Sequence, residues 1–167
     1  MIRRETIFSP CQRYRYTLWR QWSIPGGERN GGYVAFIGLN PSTADETNDD
    51  PTVRRCCGFA QAWGFEAMVM LNLFAYRSTD PRVVLTCADP VGPDNDKWLK
   101  RLGRTAAKTV AAWGIRGGHL NRAQLVRTMF SELYCLGTTK RGYPRHPLYV
   151  RNDQQLKIWR PEPHGSQ

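Results

Sequence analysis

"VAFIGLNPSTADETNDDPTVRRC", Val34–Cys56, decides how the rest of the chain is read. Its apolar run, Val34 to Ile37, is cut off by Gly38-Leu39-Asn40-Pro41, the signature of a strand buried on both faces. A polar, turn-forming segment follows. Helical spacing then resumes in "DPTVRRCCGFAQAW", with Asp50 placed as an N-cap and Pro51 at the first helical position. The helix is expected to run to about Trp63, where Gly64 stops it. A buried strand that delivers Asn40 to its carboxyl end, ahead of a helix, is where open α/β sheets place ligands. A plain strand-to-helix loop is the alternative.

Working outward, the same alternation recurs. "RYRYTLWRQW", Arg13–Trp22, alternates as a half-exposed strand, and the turn "SIPGGERNGG" suggests a hairpin between it and Tyr33–Leu39. "EAMVMLNLFAY" holds a second buried strand. After "STDPRV" comes a short helical turn, then a helix from about Asp94. "VAAWG" is a third strand, "NRAQLVRTMFSE" an amphipathic helix and "LYCLG" a fourth strand. Strand and helix alternating from Val34 to Gly137 imply an α/β fold with a central, mainly parallel sheet and helices on both faces. One domain covers 1–167: an N-terminal hairpin strand at 13–22, a core at 33–150 and a tail at 151–167, with "PEPHGSQ" frayed.

Bulk properties narrow the function. The 167 residues suit one core, and 41% hydrophobic with 23% charged residues fits a globular chain. No apolar run is long enough to span a bilayer, and "MIRRETIFSPCQRYRY" lacks the apolar stretch of a secretory signal, so a cytoplasmic protein is expected. Cys11, Cys56, Cys57, Cys87 and Cys135 show no metal-type spacing and read as reduced structural thiols. Twenty-four Lys and Arg against 14 acids give a net charge of +10, which favours a polyanionic partner, nucleic acid first. The acids are uneven, since Asp45, Glu46, Asp49 and Asp50 share the opening loop. Basic residues crowd "TTKRGYPRHPLYVRNDQQLKIWR" at the other end.

Parallel strands would bring four strand ends to one edge: Gly38-Leu39-Asn40-Pro41, Asn72, Trp113-Gly114, and His146-Pro147-Leu148 after the last strand. "GLNPS" (Gly38–Ser42) resembles the first motif of the uracil-DNA glycosylase superfamily, in the form of its mismatch-specific branch. "VMLNLF" resembles the second-strand motif whose Asn reads the base. "AAWG" is similar to the following core strand, and "RHPLY" resembles the His-Pro-Ser-Pro motif near the domain's end. The sequence as a whole also resembles a bacterial and phage family known only as a domain of unknown function, in "GLNPSTAD", "NLFAYRSTDP" and "PRHPLY".

The superfamily resemblance implies a three-layer α/β/α domain and cleavage of an N-glycosidic bond in DNA. It also implies roles: Asn40 positions water, Asn72 bonds the base edge, and His146 donates to the departing base. Gly38, Leu39, Pro41, Ser42 and Pro147 shape the pocket. Phe59, Phe74 or Tyr76 stacks on the base, and Leu148 wedges into the base stack. Lys140, Arg141 and Arg145 hold phosphates. Two departures stand out. Leu148-Tyr149 replaces Ser-Pro, and Asn40 stands where the most active branch carries Asp. Asp45 or Asp50 is the candidate for the missing charge. The expectation is a monomeric glycosylase-like hydrolase needing no cofactor, with DNA as partner. A non-catalytic nucleic-acid-binding protein and a metal-assisted nucleotide hydrolase using the acidic loop are the rival readings.

Overall fold

The computed structural model describes residues 3–22 and 32–161. Seven strands form one sheet: β1 (Arg3–Phe8), β2 (Arg15–Gln21), β3 (Tyr33–Gly38), β4 (Ala67–Asn72), β5 (Lys108–Ala111), β6 (Tyr134–Cys135) and β7 (Lys157–Ile158). Their order is β1-β2-β4-β3-β5-β6-β7. Among the described residues the α-helices are α1 (Pro51–Ala62), α2 (Pro81–Thr86), α3 (Asn95–Thr105) and α4 (Arg122–Arg127). The expected helix signals at Asp50 hold: its carboxylate accepts from the Val53 N–H, Pro51 opens α1, and Gly64 takes a left-handed φ of 82° just past the end.

At the centre, β4, β3, β5 and β6 run parallel. Residues Val34 to Ile37 of β3 are wholly buried, because both its edges and both its faces are occupied. One face packs Val34, Phe36, Met68, Met70 and Val110 against Val53, Cys56, Phe59 and Ala60 of α1. The other packs Ala35, Ile37, Val69, Leu71 and Ala111 against Val84 of α2, Leu99 of α3 and Val126 of α4. Each of the buried Val, Leu, Ile, Phe and Met side chains contributes about 1.5–3 kcal/mol.

Three expectations change. The sheet is mixed rather than mainly parallel, since β1–β2, β2–β4 and β6–β7 are antiparallel. The predicted hairpin between β2 and β3 does not form; β3 already has β4 and β5 on its two edges, so β2 joins the free edge of β4. Most of the turn proposed for that hairpin, 23–31, lies outside the described residues. Finally, the segment after 150 is not all tail. It adds β7, and Trp159 is buried edge-on against Trp113, with ring centroids 5.2 Å apart. Residues 162–167, where fraying was expected, lie outside the described residues. No helix among the described residues is long and apolar enough to cross a membrane.

Candidate functional site

The carboxyl ends of the parallel strands open into a cleft of about 430 Å³. Gly38 at the end of β3, Leu39, Asn40 and Ser42 after it, Asn72 at the end of β4, Trp113 and Gly114 after β5, His146, and Asp50 at the start of α1 all line it. Residues separated by more than a hundred positions thus meet, as parallel strands require. The approach is close. A Cβ on Gly38 would stand 2.9 Å from Asn72 Oδ1 and 2.7 Å from Met70 Cε, so any larger residue would push the Asn72 and Met70 side chains from where they sit.

Asn72 is 1% exposed, yet neither Oδ1 nor Nδ2 has a hydrogen-bond partner among the described residues. Its backbone, by contrast, is held firmly. Asn95 Nδ2 donates to the carbonyls of Asn72 and Leu73 at 3.0 and 3.1 Å, and Arg122 Nε donates to Leu73 O at 3.0 Å. An unpartnered buried amide is costly, on the order of 1–3 kcal/mol, and asks for a ligand's donor and acceptor.

Asn40 is oriented by its own loop. Its Nδ2 donates to Pro41 O at 3.1 Å and to Ser78 O at 3.0 Å, which leaves Oδ1 as the end without a partner among the described residues. His146 Nδ1 accepts from the Leu148 N–H at 3.2 Å. In the neutral ring the proton then sits on Nε2, which becomes a donor. Burial pushes this imidazole below its ordinary 6.5, with the Asp50 carboxylate acting in the opposite direction, so the neutral donor form prevails at pH 7. Arg55 of α1 secures the segment behind it, donating to Pro147 O, Val150 O and Asn152 Oδ1.

The acidic loop is built differently. Asp45 Oδ1 accepts from Thr47 N and Asn48 N at 2.8 Å each and from Thr47 Oγ1 at 2.9 Å. Those bonds hold its carboxyl down at about 2, and it does not line the cleft. Asp49 pairs with Arg4 and with the fully buried Arg20, each at 2.7 Å. Only Asp50 reaches the cleft, as the cap of α1. Among the described residues no three His, Cys, Asp or Glu side chains gather as a metal site. Burial pushes Cys56 well up and Cys57 to about 11, which leaves neither a thiolate nucleophile.

Several expected residues lie elsewhere. Phe59 is buried on α1 and stacks on Trp63; Phe74 is buried in the opposite core; half-buried Tyr76 meets Tyr14 edge-on. The aromatic rings that line the cleft are instead Trp113 and the 77% exposed Tyr149. Pro41 and Pro147 are buried beneath the rim, and Leu148 is exposed beside it. Lys140, Arg141 and Arg145 are exposed and do not line this cleft.

Sequence reasoning passed over Arg15, Met70, Ser78, Thr79 and Pro81, all of which line the cleft. The Asp80-Pro81 pair repeats the cap-then-proline signal of Asp50-Pro51, and was the legible clue to the second loop. Arg15 carried no such signal. It arrives because antiparallel β2 starts where β4 ends, with Arg15 N donating to Ala75 O at 2.9 Å. The side chain is 2% exposed, gives one hydrogen bond, to Ala44 O, and is drawn down to about 10 by burial.

Residues 15–148 match the family described as "Protein of unknown function (DUF1643)", and the chain belongs to it. That span contains every residue lining the cleft except Tyr149. No curated protein and no solved structure matches the chain.

Proposed function

We propose that this member of the DUF1643 family is a hydrolase of the uracil-DNA glycosylase type, a cytoplasmic monomer whose cleft accepts one modified or damaged base of DNA. The observation that carries the reading is the Asn72 side chain, buried at the cleft with donor and acceptor both unpaired. A carboxamide offers N–H and C=O side by side, the complement of a nucleobase edge that presents an acceptor next to a donor. A cleft of about 430 Å³ suits a ligand of nucleoside size. Helices against both faces of a four-stranded parallel centre support the three-layer α/β/α arrangement expected of that type.

The chemistry follows from the remaining groups. Water attacks the anomeric carbon as the N-glycosidic bond breaks, the bonding pair leaves with the base, and the proton the water gives up ends on the departed base. Asn40 Oδ1 accepts a hydrogen bond from that water and orients it. His146 Nε2–H donates to the base as negative charge develops there, the kind of preorganised donor that contributes most to such steps. Asp50 supplies a negative charge for the cationic sugar, a role Asn40 cannot fill. Buried Arg15 adds a positive field on the side of the departing base.

The test is a panel of oligonucleotides, each bearing one modified base, scored for alkali-labile abasic sites. At least one should be cleaved by the parent protein, and the same substrate should survive Asn72→Ala. If no member of the panel yields abasic sites at saturating protein, the hydrolase reading is wrong. A parent protein that binds DNA but cleaves no member of the panel, and whose binding is unchanged when Asn40 and His146 are replaced, is a binding protein instead.

A further inference from the structure

A second concavity, of about 540 Å³, lies between the loop that follows β6 and the strand β7. Its charge is one-sided: Arg145, Arg151, Lys157 and Arg160 line it, and no acidic residue does. Arg151 is paired with Asp153 at 3.0 Å, whereas Arg145, Lys157 and Arg160 have no carboxylate partner among the described residues. Three uncompensated cations along one groove are poorly explained by solubility, which is served as well by charges spread over the surface.

The position is as informative as the charge. Tyr149 lines both this groove and the strand-end cleft, so the two adjoin at one exposed ring. That ring lies 5.7 Å from the imidazole of His146 and is 77% exposed. Arg55 fixes the backbone on either side of it through Pro147 O and Val150 O, so the junction is held to α1. An aromatic platform beside a basic track is the combination used to hold a single nucleic-acid strand.

We propose that the groove of Arg145, Lys157 and Arg160 binds the phosphodiester backbone of the DNA strand whose base enters the cleft, with Tyr149 stacking on a neighbouring base. The site differs from the loop that charge density alone suggested. Lys140 does not line the groove, and Arg141 lines a separate recess with Trp113, Tyr143 and Trp159. The path of the strand rests on the base-cleft reading; backbone binding by the groove does not, and it is measured without catalysis.

The experiment is fluorescence anisotropy with a labelled, unmodified single-stranded DNA of about 12 nucleotides, titrated across a range of salt concentrations. The triple variant Arg145→Ala, Lys157→Ala, Arg160→Ala should bind roughly tenfold or more weakly at low salt. Its log–log salt slope should be shallower by about 2, close to 0.7 for each lost phosphate contact. A control triple, Lys97→Ala, Lys100→Ala, Arg101→Ala, removes equal charge from the exposed side of α3 and should leave the slope unchanged. Tyr149→Ala should weaken binding about fivefold without altering the slope, since stacking releases no counterions. Equal losses in the two triples, or none in the first, would overturn the groove. Tighter binding of the same sequence as RNA would overturn DNA as the partner. Failure to excise any base leaves these results intact and refutes only the hydrolase.

Discussion

The acidic loop and the strand ends are neighbours with opposite habits. Two carboxylates of the acidic loop are spoken for: Asp45 closes its own loop and Asp49 neutralises Arg4 and Arg20, while Asp50 caps α1 through one oxygen and faces the cleft. Across the same cleft, Asn72 is sealed in the fold with both amide atoms unpaired among the described residues, and Asn40 commits only its Nδ2 to its own loop. In the sequence the acids look chemical and the amides look like turn residues. Their hydrogen bonds reverse that impression. Asp45 and Asp49, saturated within the chain, build the scaffold, and Asn72, which the scaffold holds at the cleft but does not satisfy, is the one left for a ligand.

The comparison breaks most visibly at Asp49. Asp49→Ala leaves the guanidinium of Arg20, wholly buried, without its carboxylate, which should cost about 3 kcal/mol of unfolding free energy. A urea melt that moved by less than about 1 kcal/mol would mean the acidic loop is not scaffold. At the strand ends the damage should fall on turnover instead. His146→Ala and Asn40→Ala should each slow base release roughly a hundredfold, with DNA binding nearly intact. In the parent, activity should persist through neutral pH and fall on an acid limb with its midpoint below 6.5, because burial favours the neutral ring. A limb above 6.5 would assign the proton to another group.

Asn72 sharpens the contrast by moving in the other direction. Asn72→Leu keeps four side-chain heavy atoms branched at Cγ and removes two unsatisfied polar atoms, so thermal unfolding should show a gain of about 1 kcal/mol while cleavage disappears. Lower stability with retained cleavage would place Asn72 in the scaffold. The smallest effect belongs to Asp45, whose carboxyl lies at about 2 in the fold against an ordinary 3.8. Its contribution is fully present above the ordinary value and is lost as pH falls through about 2. An acid-unfolding profile of Asp45→Ala should therefore differ from the parent's at neutral pH and converge with it toward pH 2. Parallel profiles would rule out this linkage.

Much of this architecture was legible in the chain because it is local. Period, caps and breakers located β3, α1, β4, α3 and β5, and the Asp50-Pro51 signal placed the start of α1 to the residue. Chain order and parallel pairing then brought Asn40, Asn72 and His146 to one edge, where all three line the cleft. Partnering was not legible, because it is a property of the space between elements. The sequence does not say that β2 would join β4 antiparallel and carry Arg15 to the cleft, or that a short β7 would align Lys157 with Arg145. Nor does it separate a ring in the core, such as Phe59 or Phe74, from a ring at the rim, such as Tyr149. The sequence by itself determined which residues end the strands. Only the tertiary structure decided which of their polar atoms go unsatisfied, since a hydrogen bond depends on distance and angle between groups that the chain brings together from far apart.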